Sequence, residues 1–277
     1  MKDSEIRKTV REGYARIAKK EGSCCRPTTS CCSDPTTSGE LSKNLGYTQE
    51  DLDSVPEGSN LGLGCGNPVA LASLKEGETV LDLGSGAGFD CFLAAKRVGG
   101  QGKVIGVDMT PEMLDKARES AKRNGYENVE FRLGEIENLP VADNSADVTI
   151  SNCVINLSPD KKRVFEEAYR TMKPGGRLMV SDIVLLRELP EAIRNSVEAY
   201  VGCLSGAIMK DQYLNAIEQA GFKQVKILKE TKFPIKYMTN DPTAKAVIRK
   251  SSISSKEIEE ITDTVASVRV SAIKPIH

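Results

Sequence analysis

An α/β fold with a doubly wound, Rossmann-like sheet is what this sequence predicts, and three observations carry that prediction. Through the middle of the chain, short apolar runs alternate with helix-like segments, the pattern of parallel strands joined by crossover helices. The run Val80 to Leu83 leads directly into Gly84-Ser85-Gly86-Ala87-Gly88 and then into a helical pattern. A second apolar run ends in Asp108, at about the twenty-residue spacing where a carboxylate accepts from the ribose hydroxyls of a nucleotide-type ligand.

In order along the chain, Ser4 to Lys20 sets Ile6, Val10, Tyr14 and Ile17 on one helical face, with Gly22 as a stop. Residues 22–47 are rich in Ser, Thr, Pro and Gly, which predicts a mobile loop without a packed unit. Thr48 with Asp51 caps a short helix, and Asn67-Pro68 starts another after the loop NLGLGCG. Strands are expected near Val80–Leu83, Val104–Val107, Val129–Leu133, Val148–Ser151 and Leu178–Val184. Thr110-Pro111 and Ser158-Pro159 each pair an N-cap residue with a proline at the first helical position, and Lys173-Pro174-Gly175-Gly176 turns into the fifth strand. Helices near Pro190–Val201 and Lys210–Ala220 follow, then a strand near Val225–Leu228, a capping box at Ser254–Glu257 and a strand at Val268–Ile273. The last two strands form an antiparallel edge in this reading.

The glycine loop narrows the ligand. A dinucleotide fingerprint read from Gly84 requires glycine at position 89, which is Phe89, and the third glycine comes one residue early at Gly88. A ligand without a pyrophosphate is favoured. With Asp82 before the turn, the segment resembles the first motif of S-adenosylmethionine-dependent methyltransferases.

Composition excludes several other chemistries. The balance of 38 basic against 39 acidic residues provides no general attraction to a phosphate backbone, so a nucleic-acid partner is disfavoured. No apolar run reaches the length of a membrane span, and MKDSEIRKTV has no signal core, so the expected location is the cytoplasm. The one histidine is His277, which makes Ser-His, Cys-His and His-zinc catalysis improbable.

Sulfur is the soft group available, with 8 cysteines. Cys153 follows the fourth strand in ISNCVINL, Cys65 lies in the GCG loop, and Cys203 lies in YVGCLSGA, all on segments that converge outside the carboxyl ends of the strands. Three thiolates suit a thiophilic, three-coordinate centre. Cys91, within FDCFLAA, reads as buried filler. Cys24-Cys25 and Cys31-Cys32 leave a structural zinc open as a minor option, although the usual C-x2-C spacing is absent.

DLGSGAGFDC, SNCVINLSPDK, the turn KPGGRL with MVSD, and YVGCLSGA together resemble the arsenite S-adenosylmethionine methyltransferases over about residues 60–230. The resemblance implies that Cys65, Cys153 and Cys203 hold trivalent arsenic and that Cys32 or Cys31 takes part in a disulfide relay reset by glutathione or thioredoxin. It further implies that Gly84, Ser85 and Gly86 approach the methionine part and ribose of the cofactor. Asp108 then accepts from the ribose and Met109 packs on adenine, although plain core packing explains Met109 equally well. Glu135 and Ile136 match the family's adenine-edge position, and Asn152 orients the methionine end. On this reading residues 1–59 form an N-terminal helix and cysteine-rich segment, 60–188 the cofactor-binding core, and 189–277 a smaller α+β region with arsenic-site helices. The alternative is a small-molecule C- or O-methyltransferase, which would require a base from Asp, Glu, Lys, Tyr or Cys.

Overall fold

The computed structural model describes residues 3–19, 38–189, 204, 206–232 and 264–276. Expectations for Cys24, Cys25, Cys31, Cys32, Cys203, the Pro190–Val201 helix, the Ser254–Glu257 cap and His277 lie outside these residues.

Among the described residues, seven strands form one sheet: β1 (Thr79–Leu83), β2 (Lys103–Asp108), β3 (Val129–Leu133), β4 (Ala146–Asn152), β5 (Met172–Leu185), β6 (Lys223–Lys232) and β7 (Val265–Ile273). Their spatial order is β3-β2-β1-β4-β5-β7-β6. The first five run parallel, and β7 is antiparallel to both β5 and β6. The order reverses at β1 and β4, which opens the crevice where ligands bind in such sheets. β1, β2 and β4 are buried along nearly their whole length, which explains why they read as continuous apolar runs.

Helices α1 (Asp3–Lys19), α2 (Ser38–Asn44), α3 (Gln49–Asp53) and α4 (Pro68–Leu71) precede the sheet, while α5 (Phe89–Val98), α6 (Pro111–Arg123), α7 (Lys161–Thr171) and α8 (Lys210–Gln219) connect or follow its strands. α1 buries Val10, Gly13 and Ala18 and lies against α6, so the expected amphipathic face is the one that docks. α3 carries the full reciprocal capping box between Thr48 and Asp51. Among the described residues no helix is long and apolar enough to cross a membrane.

Three local expectations are corrected. Within residues 22–47, the part from Ser38 onward contains α2 and ends in a buried Tyr47, whose ring lies 4.8 Å from that of Phe89. The aromatic side chain packs onto the core and overrides the loop-like composition around it. α7 begins at Lys161, with Asp160 capping the Arg163 N–H. Ser158 is diverted to Glu137, to which its hydroxyl donates at 2.7 Å. The Lys173–Gly176 stretch is a bulge inside β5: Ala146 pairs with Met172 but Val148 pairs with Arg177.

Candidate active site

The site lies at the carboxyl ends of β1, β2, β4 and β5. Gly84 leaves β1 with φ +69°, and a Cβ there would sit 2.3 Å from Val154. Only glycine fits this approach. The Gly84 and Ser85 N–H groups donate to the Val107 carbonyl, tying the loop to β2. At the end of β2, Asp108 accepts from the Gly86 N–H at 2.9 Å and from the Thr110 N–H at 2.8 Å. Ser85 Oγ is buried with no hydrogen-bond partner, and a Cβ on Gly86 would meet nothing within 4 Å.

Three carboxylates crowd this loop. Burial, followed by the charges of Asp90 and Asp108, pushes the Asp82 carboxyl well above the ordinary range. Burial raises Asp90 to about 6 and also raises Asp108. Desolvated acids of this kind favour a cationic guest that supplies the missing counter-charge. Cys91 is buried in α5 as expected, and its sulfur donates to Asp82 at 3.2 Å.

Asn152, the last residue of β4, organises the other half of the site. Its Oδ1 accepts from the Cys65 N–H at 3.0 Å and the Gly66 N–H at 3.3 Å. Its Nδ2 donates to the Tyr47 hydroxyl, the Gly66 carbonyl and Asp90 Oδ2 at 2.9, 2.9 and 3.0 Å. Tyr47 in turn donates to Asp90 Oδ1 at 2.7 Å. The GCG loop is thereby pinned to the strand end, and a Cβ on Gly66 would fall 1.9 Å from Ser181 Oγ.

Cys153 follows Asn152 with φ +60°, a left-handed conformation that a non-glycine residue adopts at a cost. Its N–H donates to the Ser181 carbonyl at 2.8 Å. The sulfurs of Cys65 and Cys153 and a carboxylate oxygen of Asp182 lie within 4.8 Å of one another, all buried. Around them an apolar cluster is built from Val10, Leu157, Ile183, Leu185 and Val265, with Ile6, Tyr14, Val154 and Met109 against it. Through Ile6, Val10 and Tyr14, α1 therefore joins the apolar cluster that contains the two sulfurs.

In sequence, the chain matches the model of the methyltransferase domain over residues 74–221, more than half its length. It is 52% identical over 230 residues to an arsenite methyltransferase of Halobacterium salinarum, covering 80% of this chain and 59% of that one. To the human arsenite methyltransferase it is 36% identical over 232 residues, with shares of 80% and 59%. The crystal structure of an arsenic(III) S-adenosylmethionine methyltransferase from Chlamydomonas reinhardtii superimposes with a TM-score of 0.60 at 32% identity, covering 87% of this chain and 74% of that one. The chain belongs to the arsenite S-adenosylmethionine methyltransferase family. It spans about three fifths of the length of these two sequence relatives.

Within this family member, the residues singled out from sequence fall into three places. Asp82, Gly84, Ser85, Gly86 and Asp108 surround the glycine loop. Asn152, Cys65, Cys153 and Met109 gather around the sulfur pocket. Glu135 and Ile136 lie past the end of β3: Glu135 approaches Arg7 of α1 at 3.5 Å and Ile136 is buried in the main core. Sequence reasoning missed Asp182, Tyr47, Asp90 and the α1 cover. Burial raises Asp182 to about 7. It accepts from the Ile183 N–H and Asn156 Nδ2 on Oδ1 and from the Tyr213 hydroxyl on Oδ2. One signal was legible: an acid inside the apolar run MVSDIVLL is a buried charge, and buried charges have partners.

Proposed function

We propose that this protein transfers a methyl group from S-adenosylmethionine to trivalent arsenic held on cysteine sulfur, followed by a disulfide relay that an external thiol resets. The observation that carries the reading is the approach of the buried Cys65 and Cys153 sulfurs beside the glycine loop, in a chain of this family. Cys203 is proposed as the third sulfur, and the three thiolates suit a soft centre.

The residues around the loop fit the cofactor. Ser85 offers a buried hydroxyl with no partner, Gly86 leaves space for a ligand, and the Asp82, Asp90 and Asp108 carboxylates suit a sulfonium and an ammonium. When bound, the cofactor supplies an electrophilic methyl on positively charged sulfur. Asp108, fixed by two backbone N–H groups, keeps lone pairs to accept from ribose hydroxyls. Gly84, Ser85 and Gly86 line the methionine part and ribose, Met109 packs on adenine, Glu135 and Ile136 meet its edge, and Asn152 orients the methionine end. The task of the protein is alignment, because the nucleophile is the arsenic lone pair and no proton has to be removed. The absence of any histidine but His277 is then no handicap.

Methyl transfer formally oxidises arsenic by two electrons. Formation of a disulfide between Cys65 and Cys32 or Cys31 returns those two electrons to arsenic, and glutathione or thioredoxin reduces the disulfide. A reducing, cytoplasmic setting suits this cycle. In this scheme residues 1–59 supply the relay, 60–188 the cofactor site, and 189–277 the remaining arsenic ligand.

Calorimetry of S-adenosylmethionine binding with and without arsenite tests the first half: binding of both ligands supports it, and cofactor binding that ignores arsenite, with no arsenical bound, favours a small-molecule methyltransferase. Mass mapping of oxidised enzyme tests the second half. A Cys65 link to Cys31 or Cys32 supports the relay, and a link to Cys24 or Cys25, or zinc on the four N-terminal sulfurs, refutes it.

A further inference from the structure

Asn152 Nδ2 carries two N–H bonds but faces three acceptors at nearly equal range: the Tyr47 hydroxyl and the Gly66 carbonyl at 2.9 Å each, and Asp90 Oδ2 at 3.0 Å. The amide cannot be turned over, because its Oδ1 meets the backbone N–H groups of Cys65 and Gly66. Tyr47 cannot relieve the shortage, since its own proton goes to Asp90 Oδ1 at 2.7 Å. One acceptor therefore has only a shared donor. A neutral carbonyl loses such a contest to a buried carboxylate, whose hydrogen bonds are charge-assisted and stronger.

The weakened bond is the one that bears on the sulfur pocket. Gly66 follows Cys65, and this stretch is otherwise held by the two N–H bonds to Asn152 Oδ1 and by the Ser267 hydroxyl, which donates to the Cys65 carbonyl at 2.8 Å. Asp90 belongs to the cofactor half. It stands in the first turn of α5, immediately after the glycine loop, where it is one of the carboxylates suited to an ammonium. An ammonium is a stronger donor to Asp90 than the Asn152 amide.

We infer that Asn152 is a positioning residue coupling the two halves of the site: a cofactor ammonium on Asp90 releases an Asn152 N–H to the Gly66 carbonyl, which seats Cys65 for arsenic. This rests on the function proposed above. By linkage the coupling is reciprocal, so arsenic on the sulfurs raises cofactor affinity by the same factor.

Equilibrium dialysis of the full chain with arsenite and a phosphine reductant, alone or with a saturating nucleoside, tests this. S-adenosylhomocysteine keeps the ammonium and has no methyl group to transfer, whereas methylthioadenosine lacks the amino-acid part. The first is expected to raise arsenite affinity about fivefold, the size of one hydrogen bond regained, and the second to leave it unchanged. Asp90→Ala and Tyr47→Phe each delete a competing acceptor, so each is expected to raise arsenite affinity about fivefold with no nucleoside present. A merely structural role for these contacts predicts the opposite sign. No effect of S-adenosylhomocysteine on the wild type, an equal effect of methylthioadenosine, or arsenite affinity that does not rise in the folded variants overturns the inference. The wild-type comparison decides alone if the variants do not fold. A wild type that binds no arsenite at all overturns the arsenic reading itself, and the inference with it.

Discussion

Asn152→Asp changes one atom of the hub between the two halves of the site. The new oxygen would replace Nδ2, which lies 3.0 Å from Asp90 Oδ2 and 2.9 Å from the Gly66 carbonyl. Two carboxylates at that separation repel by about 5.5 kcal/mol at an effective dielectric constant of 20. The alternative is for one of them to keep its proton. Against the wild-type Asp90 carboxyl, which burial already raises to about 6, that costs about 1.4 kcal/mol per pH unit above 6, or about 2 kcal/mol at pH 7.5 and nothing further at pH 5, where the wild-type carboxyl holds its proton as well. Keeping the proton is the cheaper route, so the expected deficit at pH 7.5 is about 2 kcal/mol. The sign follows from linkage: the folded variant binds a proton that the unfolded chain has released, so its stability falls as pH rises from about 4. The wild type stops losing stability near pH 6, so urea unfolding of wild type and variant is expected to show about 2 kcal/mol of deficit at pH 7.5 that is recovered at pH 5. A deficit that is the same at both pH values would refute the packing of Asn152 against Asp90.

Asp108→Ala should weaken S-adenosylmethionine binding by about 1.5–3 kcal/mol and leave arsenite binding intact, and unchanged cofactor affinity by calorimetry would remove Asp108 from the site. Cys153→Ser should abolish methylation of trivalent arsenic, whereas Cys91→Ser, whose hydroxyl can still donate to Asp82, should not; the reverse pattern in a product assay would misplace the arsenic pocket. Gly66→Ala should cost about 1–3 kcal/mol and weaken arsenite binding, because its Cβ would overlap Ser181 Oγ. Adding Ser181→Gly should recover most of the arsenite affinity, and a double variant no better than Gly66→Ala would show that the overlap is not the cause.

Much of the fold was legible because local signals and long-range packing agree. Val80–Leu83 and Val104–Val107 read as buried parallel strands since both of their faces are covered, and the glycine loop follows because backbone alone fits beside Val154 and Phe131. The cofactor half of the candidate site is local in sequence, running from Asp82 to Gly88 and closing on Asp108. The sulfur half is not: Cys65, Cys153 and Asp182 are drawn together by β4, β5 and the pinned GCG loop, contacts that no periodicity encodes. Tyr47 was hidden by its polar neighbours, and α1 showed an apolar face without showing what it would cover.

Incubation of the protein with arsenite, a reducing thiol and S-adenosylmethionine carrying a deuterated methyl group, followed by chromatography and mass spectrometry of the arsenic species, tests the central claim most directly. The account predicts methylated arsenic bearing the deuterium label, formed by wild type and absent with Cys153→Ser. Labelled S-adenosylmethionine bound by the protein, with arsenite recovered unmethylated over many turnover times, would contradict it.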